Sequence, residues 1–208
     1  MRTCYIVGAG ECPSLPFVPT DADLVIAADG GYDYLRRAGI RVDLALGDFD
    51  SLGQIPDTGE TRVYPVRKDD TDMMLAVKTG LHRGYRRFEL YGGMGGQLEH
   101  TLANVQTLQY LHDHGARGFL TDGRVTLTVM SGSGQFCAEA AGSLSVFALG
   151  GSAVVTLRHL LYETENTVFS PGFPLGVSNR FTGCAAEIAV SAGSVLLLWY
   201  GPPAWLMH

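Results

Sequence analysis

Lysine is almost missing from this chain: Lys68 and Lys78 are the only two among 208 residues, and the other basic side chains are arginines. With a net charge of −6 and no basic stripe, nucleic acid is argued against as the main partner. Cysteine is also scarce. Cys4, Cys12, Cys137 and Cys184 form no C-x-x-C pair, and no histidine joins them in a cluster. That argues against structural zinc and a disulfide framework, and reduced thiols fit a cytoplasmic protein. Neither a Walker A motif nor a G-x-G-x-x-G fingerprint is present. The apolar run after Arg2 is broken by Glu11 and by prolines, so it does not read as a signal peptide. Two stretches without formal charge, 140–157 and 188–208, contain glycine and serine, and the second has Pro202 and Pro203. Their alternation suits strands better than lipid-facing helices, so no membrane partner is expected.

What is present is a chain that can bury a core, since 46% of its residues are hydrophobic. Its two halves follow different patterns. In the first, short apolar runs at 4–7, 24–28, 44–46, 62–65, 88–91 and 118–120 read as buried strands. Helical spacing at 32–38, 71–83 and 99–114 reads as helices between them. This alternation predicts an α/β unit over 1–123 with a mostly parallel sheet flanked by helices. From about Gly123 strands are predicted at 144–149, 153–157, 186–190 and 195–200, with no convincing helix. The second unit, 124–208, reads as an antiparallel sandwich or barrel.

In an open parallel sheet, ligands collect at the carboxyl ends of the strands. Asp29-Gly30-Gly31 follows the second predicted strand. Gly47-Asp48-Phe49-Asp50-Ser51 follows the third, Asp69-Asp70-Thr71-Asp72 the fourth, and Gly92-Gly93-Met94-Gly95-Gly96 the fifth. Taken alone, Asp29-Gly30 also fits an ordinary turn and 69–72 a helix cap. Asp48 and Asp50 are harder to explain that way. In an extended loop they project to one side, and two like charges repel unless a cation sits between them. Magnesium takes oxygen ligands and often uses one or two carboxylates with substrate phosphates. The glycines let backbone amides approach a phosphate, and the helix start that follows favours an anion. Four such clusters at one sheet edge predict a metal–phosphate site.

These segments, in this order and spacing, resemble the thiamine pyrophosphokinase family. Asp29-Gly30-Gly31, the Gly47–Ser51 motif, Asp69-x-Thr71-Asp72 and the 92–104 segment carry the resemblance in the first half. Leu157-Arg158-His159-Leu160-Leu161-Tyr162 and the 170–179 loop ending Ser178-Asn179 carry it in the second. The resemblance implies a Rossmann-like catalytic unit followed by a β-sandwich that binds thiamine. It also implies a homodimer with the active site between subunits. The implied reaction is magnesium-dependent transfer of pyrophosphate from ATP to the thiamine hydroxyl, with AMP leaving. Onto this sequence it places magnesium at Asp48, Asp50 and Asp72, with Asp29 as an outer ligand and Asp72 as the candidate proton acceptor. ATP contacts fall at Asp29, Gly30, Gly31, Lys68, Asp69, Thr71, Gly93, Gly95, Gly96, Gln97 and His100. Thiamine contacts fall at Asn104, Ser178, Asn179 and Phe181. For Phe181 a core position is an equal alternative, as capping or packing is for His100; a lysine beside three aspartates is more often a surface partner, and for Asn104 an exposed position on the helix face is the alternative. The chain departs from the family pattern at Gln97 and Glu99, where arginine and aspartate are usual, and at His159, where glycine is usual. Two rival readings stand beside this one: a same-fold transferase acting on another alcohol, and a non-catalytic thiamine or nucleotide sensor.

Overall fold

The computed structural model describes residues 2–50, 53 and 55–207. The Ser51 end of the Gly47–Ser51 motif lies outside the described residues. The chain divides into two compact units, Met1–Gly123 and Arg124–His208.

Among the described residues the first unit holds six strands, β1 (Cys4–Val7), β2 (Leu24–Ala28), β3 (Leu44–Gly47), β4 (Thr61–Val63), β5 (Arg87–Tyr91) and β6 (Arg117–Thr121). All neighbouring pairs are parallel, in the order β6-β5-β1-β2-β3-β4. The central strands are buried throughout, with every residue of β2 and β3 in the core, as a sheet covered on both faces requires. On one face Leu35 of helix α1 (Gly31–Arg37) packs with Val7, Val25, Ala27, Ala45 and Tyr91. On the other lie α2 (Asp72–His82) and α3 (Leu98–Asp113). There Gly80 of α2 abuts Phe88 and Cys4, and Leu108 and Leu111 of α3 cover Gly118. The fourth strand is shorter and earlier than 62–65, because Pro65 carries no amide hydrogen for a ladder.

The second unit is an antiparallel sheet ordered β10-β8-β11-β7, with β9 paired to β8 and β12 to β7. Its strands are β7 (Val125–Phe136), β8 (Ser143–Arg158), β9 (Thr164–Phe169), β10 (Gly176–Arg180), β11 (Glu187–Tyr200) and β12 (Leu206–Met207). Each pair of short predicted strands is one long strand here. The runs at 144–149 and 153–157 join through Gly150 and Gly151 in β8. Those at 186–190 and 195–200 join in β11 through register shifts around Ala192, beside left-handed Gly193 (φ 75°). Such bulges bend a strand without ending it. β7 lies where no strand was predicted, its apolar run being interrupted by Ser131-Gly132-Ser133-Gly134. A short 3-10 helix, Pro203–Trp205, also departs from the helix-free expectation. Among the described residues no helix is long and apolar enough to cross a membrane.

Candidate active site

The ends of β2 and β3 are pinned together by local backbone geometry. Asp29 and Phe49 both adopt left-handed conformations, with φ of 48° and 56°, which cost about 1–2 kcal/mol for a residue with a Cβ. The Asp29 amide donates to the Leu46 carbonyl at 2.8 Å. Gly47, at φ 150°, lets the two turns approach: a Cβ there would lie 3.0 Å from Asp29 Cα. Phe49 is only 3% exposed and joins the Val7–Val25–Leu35 core cluster. Its ring anchors the turn, with the half-buried Asp48 on one side and the exposed Asp50 on the other. Asp48 and Asp50 therefore converge through a left-handed turn and not through the extended loop that the sequence suggested.

The outcome is a compact acidic trio in which carboxylate oxygens of Asp29, Asp48 and Asp50 all lie within 4.8 Å of one another. Three converging carboxylates repel strongly in the absence of a cation, and an all-oxygen donor set suits a hard divalent ion such as magnesium. Asp29, expected as an outer ligand, joins this trio, and Asp72 stands next to it through Lys68. The Lys68 ammonium lies 3.1 Å from Asp48 Oδ2 and 3.1 Å from Asp72 Oδ1, with the side chain 14% exposed, so it is an embedded bridge and not a surface partner. Burial disfavours its charge, yet the two carboxylates outweigh that and hold its pKa above the ordinary lysine value. The bond from Lys68 is the main reason that the Asp48 carboxyl sits below its usual range. Burial lifts that of Asp72.

Thr71 caps α2, its hydroxyl accepting from the Met74 amide at 3.2 Å. This places Asp72 in the first helical turn, where the free amide groups favour negative charge. Asp69 is exposed, whereas Asp70 grips Lys78 through both oxygens at 2.7 Å. Gly30 caps α1 and Gly31 is its first, buried residue.

The glycine loop after β5 is held from two sides. Asn104, 6% exposed on α3, donates its Nδ2 to the Gly93 carbonyl at 2.8 Å. Through this bond it supports the loop. From the other side, the loop after β1 continues the pairing beyond the strands: Gly8 donates to Tyr91 at 2.8 Å and Gly10 to Gly92 at 2.8 Å. Gly92 is left-handed at φ 60°, and a Cβ there would strike the Gly8 carbonyl. Gly8 and Gly10 were missed in the sequence, where the Gly8-Ala9-Gly10 turn after the first strand was the available signal. Gly95 and Gly96 are left-handed too. Gln97 caps α3 without a side-chain bond, and His100 is exposed in its first turn.

In the second unit, Ser178 is exposed and left-handed (φ 59°), its amide bonded to Ser145 Oγ at 3.0 Å. Asn179 is 4% exposed. Its Oδ1 accepts from the Tyr162 amide at 2.9 Å and its Nδ2 donates to the Tyr162 carbonyl at 2.7 Å. Phe181 packs against Phe136, with ring centroids 5.0 Å apart, and meets Trp205 edge-on at 6.4 Å. Both are tied into the framework. His159 is left-handed at φ 60°, which accounts for glycine as the family's usual residue there.

Fold and site define a two-unit protein whose parallel sheet gathers carboxylates and a glycine loop at its strand ends. Residues 18–120 match the model of the thiamin pyrophosphokinase catalytic domain, and residues 138–195 that of the thiamin pyrophosphokinase vitamin B1 binding domain. The chain belongs to the thiamin pyrophosphokinase family. A thiamine pyrophosphokinase of Bacillus subtilis (strain 168) is 33% identical over 117 residues, 52% of this chain and 55% of that relative, so the match spans about half of the relative's length. The crystal structure of a thiamine pyrophosphokinase from Bacillus subtilis shares the fold, with a TM-score of 0.85 over 96% of this chain and 99% of that one, at 23% identity. One from Geobacillus thermodenitrificans superposes with a TM-score of 0.81 over 98% and 99% of the two chains, at 26% identity.

Proposed function

We propose that this protein is a thiamine diphosphokinase, transferring the pyrophosphoryl group of ATP to the hydroxyl of thiamine and releasing thiamine diphosphate and AMP. The observation that carries this reading is the Asp29–Asp48–Asp50 trio at the strand ends, in a chain that matches both domains of the family. In this reading Met1–Gly123 is a Rossmann-like nucleotide unit and Arg124–His208 a β-sandwich that carries the thiamine side. Asp29, Asp48 and Asp50 would hold magnesium, whose charge offsets that of the phosphates. The chain's own residues bind and orient the reactants, which supplies most of the catalysis in such transfers. Amides of the glycine loop, kept in place by Asn104 and by the Gly8–Gly10 turn, receive phosphate oxygens. Lys68 is within reach of the same oxygens once they enter between Asp48 and Asp72. The thiamine hydroxyl oxygen attacks the β-phosphorus, the bond to the α-phosphate oxygen breaks, and Asp72, outside the trio, takes the hydroxyl proton.

A cytoplasmic enzyme is part of the proposal, supported by four cysteines that are all free. So is a homodimer with a shared active site, supported by exposed apolar side chains at Leu161, Val168, Phe173 and Leu175. The test is incubation of the protein with ATP, magnesium and thiamine, followed by chromatography. Thiamine diphosphate and AMP in equal amounts are expected. ADP with thiamine monophosphate, or no product, overturns the reading.

A further inference from the structure

Among the described residues of the first unit, four arginines are half-buried: Arg41, Arg83, Arg87 and Arg117. The first three each bond to a carboxylate, of Asp43, Glu60 and Glu89 respectively. The Arg117 guanidinium has no hydrogen bond or ion pair among the described residues, and its charged neighbour is another cation. Arg87 and Arg117 begin β5 and β6 and stand directly opposite each other in the parallel ladder. Like charges paired in this way are destabilising. Burial first, and Arg87 second, push the Arg117 pKa below its ordinary value, with no carboxylate acting against them. An arginine keeps its proton all the same, so the positive charge persists in a half-buried place.

The strands do not supply the anion that would offset it. Glu89 shares the face of Arg87 two residues further on, but both its oxygens are engaged. Oε1 accepts from Arg87 at 2.8 Å and Oε2 from the Tyr91 hydroxyl at 3.0 Å. What the strands do supply is a rigid frame. The Arg87 guanidinium lies over the ring of buried Phe119, 4.7 Å from its centroid. Held by this ring and by Glu89, Arg87 loses little conformational freedom when a further acceptor meets its remaining N–H groups. Two guanidinium forks on strands about 4.8 Å apart can converge on the several oxygens of one tetrahedral oxyanion, a geometry that arginine matches well. We propose that Arg87 and Arg117 form a binding site for a phosphate group at the amino ends of β5 and β6. The acidic trio and the glycine loop sit at the other ends of the strands. The five residues of β5, about 13 Å of extended chain, separate Arg87 from the start of that loop. The inference stands independently of the thiamine diphosphokinase reading.

Calorimetry and thermal melts with inorganic phosphate, in buffer free of ATP and magnesium and at constant ionic strength, test the site. Wild type binds phosphate with a Kd of about 1 mM and melts about 3–5 °C higher at about 20 mM phosphate. Arg117→Gln removes a charge that has no internal partner, so without phosphate it melts no lower than wild type. With phosphate it loses about 10-fold or more in affinity and most of the thermal gain. Arg87→Lys, which keeps the charge and loses the fork, falls in between. Lys68→Met, beside the acidic trio, keeps the full gain. Ribose 5-phosphate distinguishes the sources of the group. Tighter binding than inorganic phosphate, also lost in Arg117→Gln, assigns the site to a phosphorylated metabolite, and equal or weaker binding assigns it to phosphate itself. No phosphate binding by wild type, an equal gain in wild type and Arg117→Gln, or a loss confined to Lys68→Met overturns the site. So does an Arg117→Gln variant that turns a dimer into a monomer with phosphate affinity unchanged, because a second copy of the chain then supplies the anion.

Discussion

Lys68 bonds to Asp48 across twenty positions of sequence, its Nζ 3.1 Å from Oδ2, and the same ammonium reaches Asp72 at 3.1 Å. One positive charge thus stands among Asp29, Asp48, Asp50 and Asp72. Lys68→Met removes it without removing the stem. The carboxylates are then left to repel one another, and the metal-free protein loses about 1–3 kcal/mol. Thermal melts with and without magnesium check this. The variant should melt lower than wild type without the ion and gain more from it. Equal gains in both proteins would show that Lys68 is not balancing the trio. Turnover should fall at least 10-fold, since the cation bonded to Asp48 and Asp72 is gone.

Asp48→Asn and Asp50→Asn each keep side-chain volume and remove one charge from the trio. Turnover should drop by about 100-fold or more in each. Melting temperature should stay within a few degrees of wild type, because relieving carboxylate repulsion offsets lost bonds. Phe49→Ala behaves differently. It empties a position that is 3% exposed and costs about 3–5 kcal/mol, so the melt falls along with the activity. Near-normal turnover in either asparagine variant removes the basis for the metal assignment.

Much of the first unit was legible because its strands are short, apolar and buried on both faces, which leaves an unbroken hydrophobic run. The acids were legible because they follow those runs at once. What the sequence hid was conformation. Asp29 looked like a turn residue because nothing in Asp29-Gly30-Gly31 reveals that β2 and β3 end side by side at Gly47. The bonds that Asn104 and Asn179 make to the backbone were hidden as well, because their partners, Gly93 and Tyr162, lie eleven and seventeen residues away. In the second unit the glycines that ordinarily end strands are bulges within β8 and β11, and period-two reading cannot tell these apart.

The left-handed backbone of His159 sets two contributions against each other. The conformation costs about 1 kcal/mol for any residue with a Cβ. The ring returns part of this, since Nδ1 donates to the Ala185 carbonyl at 2.9 Å. His159→Gly removes both and should be close to neutral. His159→Ala keeps the strain and loses the bond, and should melt lower than the glycine variant by about 1 kcal/mol equivalent. Denaturant melts of the two side by side decide it. An alanine variant as stable as the glycine one would show that the left-handed conformation is not strained there.

Asp23 ties the start of β1 to the loop before β2. Its carboxylate accepts from the Thr3 amide at 2.7 Å, the Thr20 amide at 2.9 Å and the Thr20 hydroxyl at 2.8 Å. Burial pushes its pKa up, but these bonds and Arg41 outweigh it, and the net shift is downward. A depressed carboxyl stabilises the fold above its unfolded pKa of about 4, and that contribution disappears as pH falls through the folded value. Asp23→Asn should therefore be less stable than wild type at pH 7, with the gap closing below about pH 4. A gap that stays constant down to pH 3 would mean the charge on Asp23 contributes nothing.

Phe181 separates two readings of the second unit. If its ring stacked on thiamine, Phe181→Ala would raise the KM for thiamine and spare stability. The structure instead seats the ring against Phe136 at 5.0 Å and near Trp205, with its amide bonded to the Gly142 carbonyl at 3.2 Å and its backbone bridged to Leu160. Phe136 in turn packs edge-on against Trp199, which is fully buried. Truncating Phe181 opens this cluster at its outer end and should cost about 2–3 kcal/mol. The KM values for thiamine and ATP should then change by similar factors, through loosened packing of the whole sheet end. A selective rise for thiamine with an unchanged melt would return Phe181 to the substrate.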